Sequence, residues 1–149
     1  MKFCIETYGC TSNMGNSQDL AQALQELGHI PSSIEEADAI IVNTCAVTEK
    51  TERKVLHRLR QLQGRRLVVA GCLPAALPAL LSGLSCRGLL GLLDGSSAGK
   101  IEELFGLSRP YPDHTLPSSG RPGRQPFQDL CGIVNVAQGC NGTCSYCIV

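Results

Sequence analysis

No stretch of this sequence is long and apolar enough to cross a bilayer. A spanning helix takes about 18–20 apolar residues, and a greasy run such as Leu89 to Leu93 has only strand length. Net charge is missing too, because 13 Lys and Arg balance 13 Asp and Glu. Apolar residues make up 43% of the chain, with leucine, isoleucine and valine plentiful. That excludes a disordered chain, which is charged and poor in apolar side chains. Tryptophan is absent, and three tyrosines and three phenylalanines are the only aromatic residues. The opening segment, Met1 to Leu20, breaks its apolar residues with Glu6, Asn13, Asn16 and Asp19. It is therefore no secretory signal. There is no internal repeat, and 149 residues allow one domain, or one domain and a piece of another. A cytoplasmic, soluble protein with no membrane partner is the expectation.

Cysteine is the abundance set against these absences. There are nine, an odd number, in a chain with no signal for an oxidising compartment. Stable disulfides are therefore not expected, and metal binding or catalysis is the better use of so many thiols. Cys140, Cys144 and Cys147 form C-x-x-x-C-x-x-C, while Cys4, Cys10, Cys45, Cys72, Cys86 and Cys131 are scattered.

Strands alternate with helices along residues 1–106. Lys2 to Thr7 alternates as a strand. Asn16 or Ser17 can cap a helix that carries Leu20, Ala23, Leu24 and Leu27 and stops at Gly28. Ala39 to Asn43 is a continuous apolar strand of the kind covered on both faces. Thr48 caps a helix over Glu49 to Gln63, with Val55, Leu59 and Leu62 on its apolar side. Leu67 to Ala70 is a third strand. A short helix is predicted over Pro74 to Leu81, a fourth strand over Leu89 to Leu93, and a last helix over Ser97 to Phe105. This order predicts an α/β domain with a mainly parallel, doubly wound sheet. Residues 107–130 read as a Pro/Gly/Ser-rich linker, since Gly106 to Gln128 holds five of the eight prolines. Ile133 to Val136 opens a new strand within 131–149.

One placement carries chemistry. Cys10, Cys45 and Cys72 each follow a predicted strand. In an open parallel sheet the carboxyl ends of the strands share the edge where ligands bind. Three cysteines distant in sequence can therefore meet there. Cys4 on a strand reads as a small core residue, and Cys86 and Cys131 as bystanders. Asn13 and Asn43 either stabilise loops or touch the site. His29, His57 and His114 sit in polar contexts and are expected to be solvated.

Three thiolates within eight residues, Cys140, Cys144 and Cys147, can grip one face of a metal cluster. Zinc usually takes a fourth protein ligand, and no histidine follows. Three ligands on a four-iron cluster leave one iron open. The loop Gly139-Cys140-Asn141-Gly142-Thr143-Cys144-Ser145-Tyr146-Cys147 resembles the cluster loop of radical S-adenosylmethionine enzymes. The resemblance implies that Tyr146 lies near the adenine of S-adenosylmethionine. Three further motifs narrow it: Glu6-Thr7-Tyr8-Gly9-Cys10 with Asn13, then Asn43-Thr44-Cys45-Ala46-Val47-Thr48, then Ala70-Gly71-Cys72. In this order they resemble the N-terminal domain of the methylthiotransferases, most like the archaeal and eukaryotic threonylcarbamoyladenosine branch.

That resemblance implies a flavodoxin-like domain, a linker and the start of a radical S-adenosylmethionine barrel. It implies two [4Fe–4S] clusters, an auxiliary one on Cys10, Cys45 and Cys72 and a radical one on Cys140, Cys144 and Cys147. It implies S-adenosylmethionine as cofactor, tRNA as partner, and an electron donor such as a flavodoxin or ferredoxin. In that chemistry a 5′-deoxyadenosyl radical takes hydrogen from carbon 2 of an adenosine at tRNA position 37, and sulfur and a methyl group are added. Isopentenyladenosine and a ribosomal-protein aspartate are the substrates of other branches. A flavodoxin-like or iron–sulfur electron carrier is the reading from another class. The chain resembles an N-terminal fragment of such an enzyme. It is expected to be inactive alone and poorly packed from about residue 107.

Charge is unevenly spread. Residues 1–40 hold Lys2 against six acidic residues, whereas Lys50, Arg53, Lys54, Arg58, Arg60, Arg65 and Arg66 stand against Glu49 and Glu52. That basic segment is either a solvated helix face or an RNA-backbone contact.

Overall fold

The computed structural model describes residues 1–94, 96–107, 133, 142 and 145. The expected linker, the strand from Ile133 to Val136, the loop bearing Cys140, Cys144, Tyr146 and Cys147, and also Cys131 and His114 therefore lie outside the described residues, apart from Leu107, Ile133, Gly142 and Ser145.

The described residues up to Leu107 form a doubly wound α/β layer structure. The strands are β1 (Lys2–Thr7), β2 (Ile30–Pro31), β3 (Ala39–Thr44), β4 (Leu67–Gly71) and β5 (Gly88–Leu89). The helices are α1 (Thr11–Glu26), α2 (Glu49–Gln61), α3 (Cys72–Ala76) and α4 (Ser97–Leu104), with a 3₁₀ turn over Pro78–Leu81. All pairings are parallel, in the order β2-β1-β3-β4-β5. This is the flavodoxin-like order, whose switch point falls between β1 and β3.

The apolar pattern explains the layers. Every residue of β3 and β4 is buried, as central parallel strands require. Their side chains alternate between two cores. Phe3, Ala39, Ile41, Val68 and Ala70 meet Leu20 and Leu24 of α1 and Ala98 and Ile101 of α4. Ile40, Val42, Leu67 and Val69 meet Val55 and Leu59 of α2 and Leu73 of α3.

Several boundaries differ from the sequence expectation. Helix α1 begins at Thr11, not at Asn16 or Ser17, with Cys10 in the cap position. Ser17 faces the sheet and accepts hydrogen bonds from Thr7 and Asn43, so its hydroxyl is not free to cap. The helix expected over 74–81 starts at Cys72 and breaks at Leu77. Pro78 is the cause, because a residue preceding proline is pushed out of the helical region. Strand β2 has no clear apolar signature and was not expected. The fourth strand, expected over 89–93, is registered only at Gly88–Leu89, although Gly71 N still donates to Gly91 O. Thr48 does cap α2, accepting from Thr51 N.

Two charge assignments also change. His29 is not solvated: its Nε2 lies 2.9 Å from Glu102 Oε1, and the two side chains are 9% and 7% exposed. The pair joins the turn after α1 to α4, and no local sequence feature shows a partner 73 residues away. Arg58 is likewise taken up by the fold. It makes a two-pronged contact with Glu6 on β1, at 3.0 and 2.6 Å.

The Arg58 guanidinium, followed by the Tyr8 hydroxyl, holds the Glu6 carboxyl below its ordinary value against the opposing effect of burial. A depressed carboxyl stabilises the fold above its unfolded value, near 4.5. That contribution fades as pH falls through the folded value. Arg58→Met should cost about 1–2 kcal/mol at pH 7, allowing for partial exposure of the pair. Urea titrations at pH 7 and at pH 3 check this: the deficit should shrink markedly in acid.

Candidate metal centre

The carboxyl edge of the sheet is organised by polar side chains at its switch point. Asn13, in the first turn of α1, donates from Nδ2 to Asn43 Oδ1 at 3.1 Å and to Thr44 O at 2.9 Å. Asn43, near the end of β3, donates from its own Nδ2 to Asn13 O and Ser17 Oγ, both at 2.9 Å. Thr44 donates to Ala70 O and accepts from Leu73 N, which ties β3 to the end of β4 and the start of α3. Each of these side chains is buried. Among the described residues no buried side-chain nitrogen or oxygen lacks a partner.

The three strand-end cysteines sit on this frame. Cys10 is exposed in the cap position of α1, Cys45 is buried just after β3, and Cys72 is half-buried as the first residue of α3. The Cys10 thiol donates to Asn13 Oδ1 at 3.2 Å. Cys10 also stands at the positive end of a 16-residue helix, where negative charge is favoured. Burial pushes the Cys72 thiol above its ordinary value. The charges of Cys45 and then Cys10 raise it further, while the Ala46 backbone and the Asn13 side chain oppose the rise. Cys72 thus feels the charges of both other strand-end cysteines.

Two glycines let the flanking strand ends approach the end of β3 closely. Gly9 has φ 144°, and a Cβ there would lie 2.7 Å from Cys45 Cβ and 3.0 Å from Asn13 Cγ. Gly71 has φ 95°, and a Cβ there would run into the Thr44 backbone and Asn43 Oδ1. The loop before Cys10 and the turn before Cys72 thus press directly on the end of β3. Sequence reading did not assign these glycines, nor Ser17 and Thr44, a part in the site. The signal was a Gly-Cys pair placed directly after a strand.

Asn13 and Asn43 both belong to the site, Asn13 by direct contact with Cys10 and Asn43 through Asn13. Cys4 and Cys86 are half-buried elsewhere, and burial raises both thiols. Among the described residues no three His, Cys, Asp or Glu side chains close around a single metal ion. The chemistry of the donor set fits an iron–sulfur group: three thiols after three adjacent strands, charge repulsion at Cys72 that a cationic core would relieve, and glycines that keep Cβ atoms out of the way.

Comparison with known proteins identifies the family. Residues 2–85 match the family described as uncharacterized protein family UPF0004. The chain belongs to this family, the N-terminal domain of methylthiotransferases. It is 35% identical, over 96% of its length, to the probable threonylcarbamoyladenosine tRNA methylthiotransferase of Methanothermobacter thermautotrophicus. It is 32% identical, over 99%, to the protein so named from Pyrococcus horikoshii. It is also 36% identical, over 99%, to the tRNA-2-methylthio-N(6)-dimethylallyladenosine synthase of Nitratidesulfovibrio vulgaris. The chain covers 35%, 36% and 36% of these relatives, about a third of their length. No described helix is long and apolar enough to cross a membrane.

The amide frame yields a direct test. Asn43→Leu would remove one of the two partners of Asn13 Nδ2 and the Asn43 bonds to Asn13 O and Ser17 Oγ, and would place a larger apolar side chain among these buried polar groups. It should destabilise the domain by about 3 kcal/mol, readable as a lowered urea midpoint with an unchanged m-value.

Proposed function

We propose that the protein carrying this chain is a radical S-adenosylmethionine methylthiotransferase. It adds a methylthio group to carbon 2 of N6-threonylcarbamoyladenosine at tRNA position 37. The observation that supports the reading is that Cys10, Cys45 and Cys72 follow three adjacent strands at the carboxyl edge of the sheet, in a chain whose relatives bear tRNA methylthiotransferase names. The wording of the motifs around Cys10 and Cys144 favours the threonylcarbamoyladenosine branch.

In this reading Cys10, Cys45 and Cys72 hold an auxiliary [4Fe–4S] cluster. Cys140, Cys144 and Cys147 hold a second, and Tyr146 lies by the adenine of S-adenosylmethionine. When bound, the second group supplies the electron for cleaving S-adenosylmethionine, and the first supplies the sulfur that is transferred. The chain's own residues do the positioning. Asn13 and Asn43 fix the α1 turn that carries Cys10, and Thr44 fixes the turn that carries Cys72. Burial of Cys45 keeps water from that side of the site. A base beside the anticodon is single-stranded, so it can be splayed out at modest cost. The partners are tRNA, S-adenosylmethionine and a flavodoxin- or ferredoxin-type reductant, and the compartment is the cytoplasm. The 149 residues alone support no turnover, since relatives are about three times as long.

Two measurements test this. In the full-length enzyme, replacing Cys10, Cys45 and Cys72 together by alanine should halve the iron content and stop methylthiolation. Cleavage of S-adenosylmethionine should persist. Unchanged iron would refute the ligand assignment. Separately, mass spectrometry of nucleosides from tRNA treated with the enzyme should show 2-methylthio-threonylcarbamoyladenosine. Finding the methylthio group on isopentenyladenosine instead would move the protein to the other tRNA branch.

A further inference from the structure

The seven basic residues between Lys50 and Arg66 divide into two groups in the fold. Arg58 is locked to Glu6, Arg65 donates to Ile34 O and Ala37 O, and Arg66 donates to Phe105 O while lying over the Phe105 ring. Arg53 pairs with Glu49 one turn back. Lys50, Lys54 and Arg60 are different: all three are exposed, and among the described residues their side chains make no hydrogen bond or ion pair.

These three share one side of α2. With exposed His57 they fall at positions 50, 54, 57 and 60, a spacing of three and four that stacks side chains along a helix. Val55 and Leu59 occupy the opposite side and are buried against the sheet. The stripe begins at the N-terminal end of α2, four residues after Cys45 in the chain, and Lys54 Nζ lies 5.6 Å from the centre of the Tyr8 ring. Across the sheet, α1 carries Asp19 and Glu26 and no basic residue. The neutral chain is therefore polarised, with its positive side running away from the candidate metal centre.

We propose that the outward stripe of α2, formed by Lys50, Lys54 and Arg60, binds the phosphate backbone of the RNA substrate. The proposal rests on the tRNA reading above and gives it an address on this domain. A protein partner is the other class of polyanion, an acidic reductant for example. Interfaces with proteins have an apolar centre, and no large apolar side chain of α2 is exposed. Contacts to a nucleic-acid backbone need only cations, each of which releases counterions.

The test compares the full-length, cluster-loaded enzyme with its Lys50→Gln/Lys54→Gln/Arg60→Gln variant. The probe is an anticodon stem–loop RNA, titrated across a salt series. The variant should bind about tenfold more weakly at ~0.1 M salt, and its slope of log affinity against log salt should be shallower by about 2–3. Methylthiolation should show a raised KM for RNA, with RNA-independent cleavage of S-adenosylmethionine by dithionite-reduced enzyme unchanged. Arg53→Gln, which removes a cation already paired, should shift the slope far less. An unchanged affinity and slope would overturn the proposal. So would a defect that appears only with a protein reductant and vanishes with dithionite, which would make the stripe a reductant dock. Failure of the unaltered enzyme to bind or modify any tRNA would instead sink the functional reading itself.

Discussion

Asn13 and Asn43 exchange hydrogen bonds in a buried region, and both the start of α1 with its Cys10 cap and the end of β3 depend on that exchange. Asn13 belongs to the first turn of α1 and Asn43 to the end of β3. Their amides also reach Ser17, Thr44 O and the Cys10 thiol. A buried amide left without partners costs about 1–3 kcal/mol for each group, so either the whole set forms or the edge rearranges. This gives the carboxyl end of the sheet one arrangement rather than several. Elsewhere the apolar layers on the two faces could tolerate small slips of a helix, since their contacts are not directional. The hydrogen bonds are directional, and they lie where the three cysteines need fixed positions.

The sheet was legible because its strands are read by period and burial alone. The runs AIIVN and LVVA can only be central strands, and their order with intervening helices implies parallel pairing. The placement of Cys10, Cys45 and Cys72 at the ends of adjacent strands on one edge followed from one topological rule about strand ends. What could not be read were features decided by distant partners. His29 looks solvated until α4 brings Glu102 to it. Arg58 looks like one more exposed cation until β1 brings Glu6. The start of α1 was misplaced for the same reason, since Ser17 is a good cap in isolation but is claimed by Thr7 and Asn43 across the sheet.

Burial and charge act together on the thiols. Cys45 lies in the interior, Cys72 at its boundary and Cys10 at the surface. Burial opposes ionisation of Cys72, and the charges of Cys45 and Cys10 oppose it further. Such a set is poorly suited to a free nucleophile, for which one activated thiolate beside a base suffices. It is well suited to sharing a cationic core, which turns the repulsion between the sulfurs into attraction.

The residue that precedes each cysteine now has a physical account. Cys10 and Cys72 follow glycine, whereas Cys45 follows Thr44. Strand β3 lies between β1 and β4, so its end is the surface on which the other two strand ends lean. A leaning backbone must come close, and at Gly9 and Gly71 a side chain would strike Cys45 Cβ, or Asn43 and the Thr44 backbone. Both positions also have φ values that side chains rarely adopt. The central position has the opposite need. Thr44 must hold its neighbour, which it does by bonding Ala70 O and Leu73 N. Glycine at the two flanking strands and a hydrogen-bonding residue at the middle one is thus the pattern expected whenever three adjacent parallel strands must bring their next residues to one point.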